Sequence, residues 1–169
     1  MTIIIDFYRE TASDSEGRFL SEILAWNDDQ MEEAHDFIQW LFPLLEASRF
    51  NPDAPLLTAV DIATFRAESP LRDNLRRSFQ RMLAFFGLVQ RSDGHVVEGS
   101  HFGLRSPEIW SYPNHNWLRI TRILKCLTLL GLESEARRFF AWLDAENLRR
   151  RFPITGETFA YWANAVNGE

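Results

Sequence analysis

Two short stretches hold the side chains whose types and spacing could do chemistry. The first is His35-Asp36-Phe37-Ile38-Gln39-Trp40-Leu41-Phe42-Pro43-Leu44, where His35 and Gln39 interrupt an aromatic, apolar run. The second opens on His115 and continues through Trp117, Arg119 and Arg122 to Cys126. An imidazole beside Glu32 and Asp36 is a group whose charge its neighbours can set near neutral pH. Two arginines three residues apart lie one helical turn apart, a spacing suited to two-pronged capture of a carboxylate or phosphate. Trp40 and Trp117 add aromatic walls, and rings combined with guanidinium groups are favoured at binding hot spots. His35, Gln39, Trp40, His115, Trp117, Arg119 and Arg122 therefore form the candidate ligand-binding set.

Each of these residues also has a purely structural reading. If one helix runs through the first stretch, Met31, His35, Ile38 and Phe42 share its apolar stripe, and His35 is a satisfied core histidine. Glu32, Asp36 and Gln39 then form a polar stripe, and Arg119 or Arg122 can pair with Asp36 or Glu32 across a helix interface. Both readings stand at this stage. No metal site is expected, since there is no HExxH pair and His95, His101 and His115 stand singly. No nucleophile elbow, phosphate loop or paired acid and base is present, so neither an enzyme nor a cofactor is expected. Cys126 is the only cysteine, which excludes an internal disulfide and suits a reducing compartment. Set among Leu124, Leu127 and Leu130, it reads as a buried thiol.

The elements that must position these side chains are mostly helices. With 169 residues, 46% of them hydrophobic, including 14 Phe and 6 Trp, the chain has ample material for a packed core. Ile3-Ile4-Ile5 suggests an extended arm over Thr2 to Arg9. Ser15 is positioned to cap a helix carrying Leu20 and Ile23, and Asn27 a helix running through Phe42 to the stop at Pro43. Thr58 with Asp61 forms a capping-box pattern, and Ser69-Pro70 starts a helix that Gly87 ends. Two β-prone arms flank Asp93-Gly94, the signal of a tight hairpin. An irregular stretch holding Pro107 and Pro113 follows. Asn114 opens a helix to Leu130, another runs from Glu133 to about Arg150, and Thr155 caps the last through Ala165. The expectation is an all-α single domain over 1–169, a compact bundle of six or seven helices with one small β-hairpin.

Charge narrows the function classes. The formal net charge of −6 and pI near 5.3 argue against a general nucleic-acid binder or a polybasic membrane clamp. One local exception stands out. Residues 66–91 hold six arginines against Glu68 and Asp73, and the order helix, helix, hairpin over 58–98 is that of a winged helix-turn-helix. A winged-helix DNA-binding regulator is therefore the rival to a binding or interaction domain. The longest run without charge, Thr158 to Gly168, is too short for a spanning helix. No signal-peptide core accumulates before Asp6 and Arg9, so a cytoplasmic protein is expected.

The first stretch resembles the signature H-x-[YF]-IQWLFPL of the opioid growth factor receptor conserved region, with Phe37 where Tyr is common. Leu118-Arg119-Ile120-Thr121-Arg122-Ile123-Leu124-Lys125 with Gly131-Leu132-Glu133 forms a second matching block. Fainter echoes lie at Phe7-Tyr8-Arg9, Trp26, Met82-Leu83, Phe86-Gly87, Tyr161 and Ala165-Val166, in order along the chain. The resemblance implies a non-enzymatic, receptor-like domain with a peptide or protein partner. It also implies animal relatives in the nucleus or at its periphery. It carries over no catalytic residue.

Overall fold

The computed structural model describes residues 2–169, and their contacts divide into two compact units, Met1–Ser78 and Phe79–Glu169. Among the described residues there are ten helices and one two-stranded sheet. The all-α reading with a small hairpin therefore holds, with more and shorter helices than the six or seven expected.

The first unit contains α1 (Ile3–Tyr8), α2 (Leu20–Leu24), α3 (Asp28–Glu33), α4 (Ile38–Leu41) and α5 (Ala59–Ala67). The expected N-terminal arm is a helix. A run of β-branched residues has little helix preference, yet α1 buries Ile4, Ile5, Phe7 and Tyr8, and packing of that kind outweighs propensity. Tyr8 donates its hydroxyl to the carbonyl of Leu41, and its ring meets Phe65 edge-on at 5.1 Å. Thr58 caps α5 as expected, its backbone N–H 2.7 Å from the Asp61 carboxylate. Thr2 donates to the same buried carboxylate, which ties the start of α1 to the start of α5.

Two helix boundaries in this unit differ from expectation. Ser15 is not the cap of α2, which begins at Leu20; its first turn is instead closed by Glu22, which accepts from the N–H of Phe19 at 2.7 Å. The helix capped by Asn27 stops at Ala34, whose backbone is extended, and resumes only at Ile38. The one continuous helix that was to carry His35 on an apolar stripe and Glu32, Asp36 and Gln39 on a polar stripe does not exist.

α6 (Ser69–Phe85) contains the division point. The second unit continues with β1 (Leu88–Gln90), β2 (Val96–Glu98), α7 (Phe102–Ile109), α8 (His115–Leu129), α9 (Glu133–Leu148) and α10 (Gly156–Asn167). Gly87 ends α6 at φ +83°, where a side chain would be strained. The hairpin pairs Leu88 with Glu98 and Gln90 with Val96. The stretch expected to be irregular forms α7 despite Pro107. That proline removes one helical donor, but Phe102, Arg105 and Ile109 fall on one face and are buried. α8, α9 and α10 pack on one another, with Phe139, Trp162, Ile123 and Leu127 fully enclosed.

Candidate functional site

In the first unit the signature residues work at the break between α3 and α4. His35 is exposed, so it is not the core histidine the helical spacing implied. The loss of the helix at Ala34 turns it outward. Asp36 meets Arg18 at 3.1 Å, and Arg18 in turn grips the buried Asp14 at 2.7 Å. Burial alone would lower the Arg18 pKa, but its bonds to Asp14 and Asp36 outweigh that and raise it. The guanidinium lies 5.2 Å from the Trp26 ring centre, and Trp26 meets Phe37 edge-on at 5.4 Å. Asp36 thus belongs to an acid–arginine–acid chain inside this unit. Gln39 is buried and accepts from Asn51 at 3.4 Å, while Asn51 also donates to the Asp36 carbonyl. Trp40 is buried with its ring 5.3 Å from Phe7. Through Asn51, Asp36 and Gln39 hold the loop after Pro43, while Trp40 packs on α1.

In the second unit the block on α8 divides between interior and surface. His115 is exposed and Arg122 half-buried, whereas Arg119 is only 5% exposed. Asn114 caps α8 by accepting from the N–H of Asn116 at 2.9 Å. Arg119 donates to Asn116 at 3.3 Å and lies 5.8 Å from the centre of the Phe85 ring. Arg105 covers the same ring at 4.6 Å and donates to the carbonyl of Phe85 at 2.8 Å. The two guanidinium groups therefore share one aromatic ring, a favourable placement for a cation taken out of water. Trp117 is buried, donates its indole N–H to the Ile109 carbonyl at 2.8 Å, and meets Trp162 edge-on at 6.2 Å.

One open cleft lies between α8 and α10. It encloses about 240 Å³ and is lined by Pro113, Asn114, Trp117, Leu118, Thr121, Glu157, Thr158 and Tyr161. Leu118 and Tyr161 are each more than half exposed beside it. α10 turns Trp162 and Ala165 inward and leaves Glu157 and Tyr161 outside, with the Tyr161 hydroxyl 3.2 Å from the Glu157 carboxylate. Of the sequence candidates only Trp117 lines this cleft. Glu157 and Thr158 had no signal as site residues, while Leu118 and Thr121 entered within a block that matches a family pattern and Tyr161 as a fainter echo of it. Their helical spacing marks a face, but nothing local says that α8 lies against it.

Among the described residues no three His, Cys, Asp or Glu side chains gather for a metal ion. None of the helices is long and apolar enough to cross a membrane. Cys126 is fully buried, and loss of hydration pushes its thiol pKa far up. Three of the α6 arginines are engaged locally. Arg72 donates to the carbonyls of Phe65 and Arg66, Arg76 meets Asp73 at 2.8 Å, and Arg77 donates to Asn74 at 3.0 Å.

Comparison with known proteins gives a consistent result. The opioid growth factor receptor conserved region matches residues 2–169. The opioid growth factor receptor of Rattus norvegicus is 40% identical over 135 residues, covering 76% of this chain and 23% of that protein. The human receptor is 37% identical over 158 residues, covering 88% of this chain and 23% of its own length. Mouse opioid growth factor receptor-like protein 1 is 36% identical over 124 residues, 70% of this chain and 26% of that protein. The chain thus spans about a quarter of the length of these relatives. No solved structure matches.

Proposed function

The chain belongs to the opioid growth factor receptor family, and we propose that it is a non-catalytic binding domain that receives a peptide or protein segment. The observation that carries this reading is the open cleft between α8 and α10, with Leu118 and Tyr161 exposed at its mouth. Exposed aromatic and aliphatic surface beside a concave feature is costly to leave in water and marks recognition sites. The relatives' names, which call them receptors, support the same class. Trp117 is the cleft floor in this reading. Arg119, buried against Phe85, supports the α8 wall through Asn116. His115 and Arg122 flank it on the same helix. His35, Gln39 and Trp40 serve the first unit by themselves.

Calorimetric titration with a panel of short aromatic peptides, one of them enkephalin-like, tests the proposal. Heat of binding is expected from at least one peptide, and Tyr161→Ala should weaken it about tenfold, as removal of an aromatic contact at an interface does. Absence of heat from every peptide up to millimolar concentration overturns it.

A further inference from the structure

The cleft between α8 and α10 has an unequal supply of donors and acceptors. Its lining includes two threonines, an asparagine and an indole, all of which can donate, and the donors of Thr121, Asn114 and Trp117 are spent within the fold. Thr121 donates to the carbonyl of Trp117 at 3.3 Å, whereas the Thr158 hydroxyl accepts from that of Thr155 at 3.0 Å. Asn114 spends its amide on the carbonyls of Ile109 and Tyr112, and the Trp117 indole spends its N–H on Ile109. Glu157 is the one charged residue of the lining, and no Lys or Arg accompanies it. Its carboxylate is exposed and is steadied by the Tyr161 hydroxyl at 3.2 Å. A carboxylate has about four acceptor sites, of which one contact with Tyr161 takes a single share.

Resting on the binding reading above, we propose that the cleft recognises a cationic segment, with a lysine or arginine held by Glu157 beside one aliphatic or aromatic residue seated between Leu118 and Tyr161. A volume of about 240 Å³ accommodates a side chain or two rather than a folded element. The exposed Tyr161 ring stands beside the Glu157 carboxylate, and aromatic rings attract cations brought close to them. An acidic segment would meet the like charge of Glu157, with no cationic side chain in the lining to receive it. The net charge of −6 on the chain favours the same sign of partner at long range. Carboxylate capture by Arg119 and Arg122 is thereby replaced by capture of a cation on the opposite wall.

The test uses two synthetic peptides with blocked ends, Gly-Leu-Lys-Trp-Lys-Gly and its twin with Glu for each Lys. Both are titrated into the full chain at low salt, following the Trp117 indole and Tyr161 amide resonances. The lysine peptide is expected to shift these resonances and to bind at least about threefold more tightly than its twin, the scale of an exposed ion pair. Glu157→Gln should erase that preference while leaving the fold intact by circular dichroism, and added salt should reduce it. Equal binding of the two peptides at the cleft, or tighter binding of the acidic one, overturns the cation preference and leaves the binding role standing. Shifts from neither peptide, or shifts confined to residues away from the cleft, overturn both.

Discussion

The Asp14–Arg18–Asp36 chain makes a prediction whose two halves differ in size. Asp14 has no exposed side-chain surface, and it accepts from the N–H groups of Glu16 and Arg18 at 2.9 Å and from the Arg18 guanidinium at 2.7 Å. Replacing it with alanine leaves two backbone donors without their acceptor and an arginine without its buried partner. Unsatisfied buried donors cost ~1–3 kcal/mol and a broken buried pair ~3–5 kcal/mol. Arg18 is 21% exposed in its side chain, so water recovers part of this, and we expect a loss of ~3 kcal/mol for Asp14→Ala. Asp36 is 46% exposed, and Asp36→Ala should cost only ~0.5 kcal/mol. For a chain of this size the larger loss corresponds to a fall in Tm of about 6–12 °C. Urea unfolding at neutral pH, with Arg18→Met completing a double-mutant cycle for each acid, measures both couplings. An Asp36 coupling equal to or larger than that of Asp14 would refute the argument from burial.

Four further outcomes are expected. Gly87→Ala should destabilise by ~2 kcal/mol or more in a denaturant titration, because φ is +83° and a Cβ would stand 2.9 Å from the backbone of Phe102. Cys126 should resist alkylation in the native protein and react once it is unfolded, since the thiol is buried and its pKa is raised. Asp93, hydrogen-bonded by Arg91 and by the His95 N–H, has its pKa lowered from 3.8 to about 2; its contribution to the hairpin is complete above 3.8 and disappears as pH falls through about 2, so amide exchange at the turn should quicken in that window. Duplex DNA should show no retardation at low salt, and a shift abolished by Arg76→Ala or Arg77→Ala would restore the winged-helix alternative.

How much could be read beforehand depended on how local the cause was. Thr58 with Asp61, Asn27, Asn114 and Thr155 all cap the helices assigned to them, because a cap is decided within three residues. Gly87 and the Asp93-Gly94 turn were legible for the same reason. The break at Ala34–Phe37 was not. No glycine or proline marks it, and the apolar spacing of Met31, Ile38 and Phe42 continues through it. It is held by Arg18 and Asn51, 18 and 15 residues from Asp36 in sequence. α1 and α7 went unread because burial overrode β-branching in one and a proline in the other. At the cleft, Trp117 was found through its type, whereas Glu157 and Tyr161 matter only once α10 lies beside α8.

Several helix ends in this protein are finished by donors that come later in the chain. The Phe65 and Arg66 carbonyls of α5 receive Arg72, those of Phe85 and Phe86 receive Arg105 and the Trp110 indole, and that of Ile109 receives Asn114 and the Trp117 indole. A chain made from its N-terminus therefore leaves each of these ends without these partners until the later donor has emerged. The delay grows from 6 or 7 residues at α5 to 20 and 24 residues at the end of α6. Truncation after β2 would leave the last carbonyls of α6 facing water, so the order of synthesis becomes an order of completion. A tryptophan-to-phenylalanine change at Trp110 would keep most of the apolar surface yet reopen the end of an earlier helix. Such a variant should be marked by slower maturation of newly made chains more than by a smaller core.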